Sequence, residues 1–141
     1  MTEISAYPPG TVRALMESDL VTPPTRRALR ERLGRKIVRP RFFGGHDFAI
    51  MAAACARLIP QPERKRPIDL AGELDARMAD GVGDGWRYAK MPPDRDMHAR
   101  GALGLDQSAQ AMFGCSFAEA LPADCDAVLD AVQSGNAGGE V

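Results

Sequence analysis

Apolar and polar positions along the chain fall into helical blocks, and no alternating run survives its glycines and prolines as a strand. Val12, Leu15 and Met16 form the apolar side of a short helix, with Thr11 as its expected cap. Residues 22–34 read as a second helix. Thr22 is its cap, Pro23 takes the first turn, where a missing N–H costs nothing, and Gly34 closes it. Its apolar content is only Ala28, Leu29 and Leu33, and much of the rest is arginine. A third helix, capped by Asp47 and stopped by Pro60, is apolar nearly all round, the mark of a buried central helix. Between the second and third helices, Pro40, Gly44 and Gly45 break any element. Phe42 and Phe43 of this linker are expected to fold back onto the core. A short extended piece at residues 36–38 is the only strand-like candidate.

The pattern continues downstream. Ile68, Ala71, Leu74 and Met78 make one stripe, with Gly81 just past its end. Asp94 is expected to cap a long helix on which Met97, Gly101, Leu105, Ala109 and Met112 recur at helical spacing and face the central helix. Gly114 ends it. Ser116 caps a single turn through Phe117 and Ala120. Pro122 then starts a last helix carrying Cys125, Val128, Leu129 and Val132, closed by Gly135. The expected fold is an all-α single domain of about five helices with a long Gly/Pro-rich aromatic loop. It divides into an Arg-rich front of N-terminal helices and linker (1–46), a helical domain (47–135) and a tail that frays (136–141).

That loop, within "ADGVGDGWRYAKMPPDRD", is the oddity of the pattern. It holds the chain's one tryptophan, Trp86, and one of its two tyrosines, Tyr88, among Gly81, Gly83, Gly85, Pro92 and Pro93. Two readings compete. Either Trp86 folds back as a lid over the core, as a residue so often buried would, or Trp86, Arg87 and Tyr88 form an anchor for a partner, where Trp, Tyr and Arg are enriched. The glycine alternation does not make a dinucleotide fingerprint, because a helix precedes it and no strand does.

Composition narrows the function classes. The 141 residues are 45% hydrophobic and 26% charged, a globular balance, and the net charge of −1 does not mark a polyanion binder. The charge is uneven. Arg26, Arg27, Arg30, Arg32, Arg35, Lys36, Arg39 and Arg41 crowd the front, while Asp106, Glu119, Asp124, Asp126 and Asp130 make the last third acidic. Such asymmetry reads as two solvated faces or as a docking surface for an acidic partner. An arginine-helix nucleic-acid or anionic-surface binder, using Arg26, Arg27, Arg30 and Arg35, is the alternative function. No recognised nucleic-acid motif and no interleaved aromatics accompany these arginines, so no nucleic-acid partner is expected.

Cys55, Cys115 and Cys125 have neither zinc nor haem-attachment spacing, and a Cys115–Cys125 disulfide stays open. No apolar run reaches a membrane span, so no direct membrane insertion is expected. "MTEISAYPPG" lacks the regions of a signal peptide, so the expected location is the cytoplasm. His46 and His98 are the only histidines, and no paired carboxylates stand out. A stand-alone enzyme would have to use one of them, yet His46 reads as a loop-orienting residue and His98 as solvent-exposed. Asp106 is the most interesting acid, because it follows Leu105 on the buried stripe and is placed to hydrogen-bond a neighbouring helix end. No catalytic set, cofactor motif or metal cluster emerges.

Residues 48–135 resemble the gluconate 2-dehydrogenase subunit 3 family. The carriers are "ARLIP" at 56–60, Ile68, Leu70 and Leu74, then Arg100-Gly101, Leu105-Asp106 and Ala109, and finally Phe113-Gly114, Phe117, Leu121-Pro122 and the stretch from Leu129 to Gly135. The chain departs from the family pattern at His98-Ala99, where a tyrosine-arginine pair is frequent, and at Cys125, where glutamine is common. It also lacks the twin-arginine signal that many members carry. The resemblance implies a non-catalytic small subunit with no cofactor of its own. It implies a large FAD-dependent partner of the glucose–methanol–choline type that oxidises sugars or polyols, with a cytochrome c subunit in some complexes. It also implies a periplasmic location if the chain is exported with that partner. With the loop, it makes Trp86, Arg87, Tyr88, Pro92 and Arg100 the expected partner interface.

Overall fold

A computed structural model describes residues 10–34, 39–83 and 85–137. Six helices form among them: α1 (Thr11–Met16), α2 (Pro23–Gly34), α3 (Gly45–Leu58), α4 (Leu70–Ala79), α5 (Asp94–Phe113) and α6 (Pro122–Gln133). No strand occurs among the described residues. The chain divides into two compact units, Met1–Ile37 and Val38–Val141. The extended piece expected at 36–38 and most of the tail expected to fray fall outside the described residues, as do Arg35, Lys36 and Asp84.

In the first unit, α1 starts one residue earlier than Thr11 would dictate as a cap. Gly10, with φ +92°, is the cap residue, and its carbonyl accepts the Ala14 N–H at 3.0 Å. Thr11 is therefore helical. At the other end, the Arg26 guanidinium of α2 donates to the Met16, Ser18 and Val21 carbonyls at 2.5, 2.6 and 3.1 Å. Helix ends leave carbonyls without partners, and a fork of fixed N–H donors is well suited to collect them. Arg30 pairs with Glu17 at 2.6 Å. Two of the four arginines proposed to bind an anionic surface thus serve the unit's own structure.

The second unit is built around α3, which packs against α4, α5 and α6, while α5 also packs against α6. Its core is Ile50 and Ala54 of α3, Ala102 and Ala109 of α5, Phe117 of the α5–α6 turn, and Cys125 and Val128 of α6. α3 begins at Gly45, with Gly44 as its cap residue, so Asp47 and His46 lie in the first turn and not at a cap. There the Asp47 carboxylate faces the positive end of the helix dipole. α4 begins at Leu70, and Asp69 Oδ1 accepts the Gly72 N–H at 2.9 Å. Ile68 precedes the helix and is exposed; Ala71 and Met78 are buried and Leu74 is half-buried.

α5 departs most from expectation. Pro93, not Asp94, is its cap residue, and its buried set is Ala102, Gly104, Ser108 and Ala109. Met97, Gly101 and Leu105 are half-buried, and Met112 is exposed. The reason is that α5 packs against both α3 and α6. Close approach of helices on more than one side favours small residues, so the large-residue stripe does not mark the most buried line. The largest fully buried side chain, Phe117, comes from a turn.

Candidate partner-binding arm and its base

The segment joining α4 to α5 is an arm with a clamped base. On α4, Asp75 sits on the buried side with Ala71 and Met78. Its Oδ2 accepts the Arg41 N–H at 2.7 Å, and its Oδ1 accepts those of Phe42 and Phe43 at 3.0 and 2.8 Å. Burial pushes this carboxyl up, but the three N–H donors and the Arg41 charge outweigh it and hold Asp75 below its usual range. The carboxylate thus pins the linker to α4 and lets Phe43 enter the core, at 6% exposure. The linker aromatics do fold back. Phe42, half-buried, meets Phe43 edge-on with ring centroids 4.8 Å apart.

The pinned linker then ties both roots of the arm. Arg41 pairs with Asp80, just after α4, at 2.9 Å. Arg95, at the start of α5, lies over the Phe42 ring at 4.9 Å, a cation–π geometry. The Asp94 carboxylate comes close to Gly83, where an added Cβ would stand 2.5 Å from Oδ2. Gly81 and Gly85 take φ +68° and +75°, a conformation that side chains resist. At Gly81 it closes α4: the Val82 N–H reaches the Arg77 carbonyl at 2.9 Å and the Gly81 N–H that of Met78 at 3.3 Å. A turn farther on brings the Met91 N–H to the Tyr88 carbonyl at 2.9 Å.

The tip of the arm is solvent-facing. Trp86 is 72% and Tyr88 67% exposed, and their rings meet edge-on with centroids 4.8 Å apart. Trp86 therefore does not cover the core. Arg87, between them, is exposed, and Val82 and Met91 add apolar surface. Pro92 is half-buried at the return to α5. Arg100 is exposed but belongs to a different element, beyond the first turn of α5. The five residues expected at an interface thus divide into a paired tip of Trp86, Arg87 and Tyr88, a root at Pro92, and Arg100 on the helix.

Asp106 and His46, two of the remaining candidate groups, bond each other, and Asp106 also holds the turn before α6. Asp106 Oδ1 accepts from Ser116 Oγ at 2.6 Å and from the Phe117 N–H at 3.0 Å; its Oδ2 lies 3.2 Å from His46 Nε2. In place of the expected bond to a neighbouring helix end, Asp106 bonds the α5–α6 turn, and among the described residues only His46, in the first turn of α3, reaches it from another helix. Burial pushes its carboxyl up, but these donors outweigh that and hold it below the usual range. Ser116 and His46 engage opposite oxygens of the acid, so these bonds do not form a nucleophile–base relay. His98 is half-buried rather than solvent-exposed. Arg57 and Asp126 form a double hydrogen bond at 2.7 and 2.6 Å between α3 and α6. All three cysteines are free thiols, and burial pushes those of Cys55 and Cys125 up. No cluster of three or more His, Cys, Asp or Glu side chains suited to a metal occurs among the described residues. No described helix is long and apolar enough to cross a membrane.

Asp75 is the residue that sequence reading missed. Its signal was present: a carboxylate on the same stripe as Ala71 and Met78 must find donors. The donors lie more than thirty residues away, and nothing local names them.

What the fold and these contacts define is a small all-helical protein with a solvent-exposed aromatic segment between α4 and α5 whose two roots are tied to the linker. Residues 45–140 match the family model for gluconate 2-dehydrogenase subunit 3, and the chain belongs to that family. Neither a curated protein nor a solved structure matches it.

Proposed function

We propose that this chain is the small accessory subunit of a dehydrogenase complex. It binds a large FAD-dependent subunit of the glucose–methanol–choline type that oxidises sugars or polyols, and it supports that subunit's folding and assembly. The cofactor belongs to the large subunit, and a cytochrome c subunit is the electron acceptor in complexes that contain one. If the complex is exported, the chain reaches the periplasm with its partner; otherwise it stays in the cytoplasm.

Family membership over residues 45–140 carries this reading. The arm supports it physically. A solvent-facing Trp–Tyr pair on a held loop is the kind of group that dominates binding when a partner covers it. Because both roots are tied to the pinned linker, less conformational freedom is lost on docking. Trp86, Arg87 and Tyr88 make the contact, with Pro92 and Arg100 at its edges.

Co-expression with the large flavoprotein subunit tests the reading. The expected result is one complex on size-exclusion chromatography and poor recovery of active flavoprotein without the small chain. A flavoprotein that folds, loads FAD and turns over fully alone, with no complex formed, sinks it.

A further inference from the structure

Where α3 ends, the chain leaves large aliphatic side chains in solvent. Leu58 is 66% and Ile59 56% exposed, and Ile68, just before α4, is 49% exposed. Leu58 lines an open groove with Leu129 and Val132 of α6. Ile59 lines a second groove with Ile68 and part of the loop between them. The two grooves therefore adjoin at the Leu58–Ile59 step.

Their rims differ in charge. The first holds Arg57, Asp126 and Asp130. Arg57 is taken up by its double bond to Asp126, which leaves the exposed Asp130 in the last turn of α6. No basic residue offsets the negative end of that helix, and no lysine or arginine follows Arg100 in the sequence. In the loop from Pro60 to Pro67, Glu63 is outnumbered by Arg64, Lys65 and Arg66, all exposed. These three cations form no ion pair among the described residues. Asp69, the next acid, caps α4. The Gln61 side chain closes the loop: its Nε2 donates to the Ile68 carbonyl at 3.0 Å, and its Oε1 accepts the Ile68 N–H at 2.8 Å.

We propose that this face pairs with the same face of a second copy of the chain. An apolar centre whose two rims differ in sign is complementary to itself under a two-fold rotation, as an isologous dimer requires. Leu58, Ile59 and Ile68 meet around the axis. Asp130 of one copy faces Arg64, Lys65 and Arg66 of the other, and the reverse. Because Gln61 already closes the loop, less freedom is lost on pairing. This pairing does not rest on the subunit reading.

Sedimentation equilibrium of the full chain at low salt tests it. A monomer–dimer equilibrium is expected. Leu58→Ser with Ile59→Ser is expected to weaken it about thirtyfold, with melting of the monomer unchanged because both residues are exposed. Asp130→Arg in one chain, or Lys65→Glu with Arg66→Glu in another, is expected to weaken self-association about tenfold. An equimolar mixture of these two charge-reversed chains is expected to restore the dimer, since each altered rim then meets its opposite. Charge-reversed chains that each dimerise like the wild type overturn the two-fold arrangement. So does a wild-type chain that stays monomeric up to about 1 mM. A monomeric chain whose Leu58→Ser, Ile59→Ser variant fails to bind the co-expressed flavoprotein subunit assigns the face to that subunit and overturns the second copy, while the subunit reading stands.

Discussion

Asp106 Oδ1 accepts the backbone N–H of Phe117 at 3.0 Å, so the middle of α5 holds the turn that delivers the largest fully buried side chain of the core. The same oxygen accepts the Ser116 hydroxyl, which is itself buried. Asp106→Ala strands both donors and is expected to lower stability by about 2–3 kcal/mol, read as a shift in urea midpoint. His46 touches the other oxygen from an exposed position, and exposed pairs contribute about 0–1 kcal/mol. His46→Ala should therefore fall within that range. Equal losses for the two variants would contradict the assignment.

Asp75 makes a second such prediction, with a pH dependence. Asp75→Asn removes the charge from a group accepting three N–H bonds and is expected to lower stability by about 2–3 kcal/mol. Both Asp75 and Asp106 are held below their ordinary range when folded. The unfolded chain then binds more protons in acid. Their stabilisation is complete above the unfolded value of about 4 and is lost as pH falls through the lower folded values. Urea midpoints measured down the acid limb should fall below about pH 4, and less steeply in Asp75→Asn. An identical acid limb in the variant would count against the role of the Asp75 carboxylate in holding the linker.

Ser108 offers the opposite sign. Its hydroxyl is fully buried on α5 and has no hydrogen-bond partner among the described residues. Removing an unpaired buried hydroxyl relieves its desolvation cost. Ser108→Ala is expected to raise stability by about 0.5–1 kcal/mol in thermal or urea unfolding. A clear loss would mean that the oxygen has a partner.

Much of the fold was legible because its signals are local. Pro23 and Pro122 mark helix starts, Pro60 stops α3, and Gly81, Gly114 and Gly135 mark helix ends with positive φ. All six helices match segments read as helical in the pattern, α1 included; there only the cap residue differs, Gly10 in place of Thr11. Cap identities were less legible at α3 and α5, where Gly44 and Pro93 hold the positions expected of Asp47 and Asp94. The buried line of α5 could not be read from residue size, since it depends on two neighbouring helices. The site divides the same way. Composition singled out Trp86 and Tyr88, but their exposure follows from the base beneath them, and that base rests on contacts between distant residues, Asp75 with Phe43 and Arg95 with Phe42.

Calorimetric titration of the large flavoprotein subunit with the wild-type chain and with Trp86→Ala tests the arm most directly. Saturable binding is expected for the wild type. The variant should bind about thirtyfold more weakly, a loss of about 2 kcal/mol, with the melting of the free chain unchanged because Trp86 is exposed. No binding by the wild type, or equal affinity in the variant, would contradict a small subunit that docks through its aromatic arm.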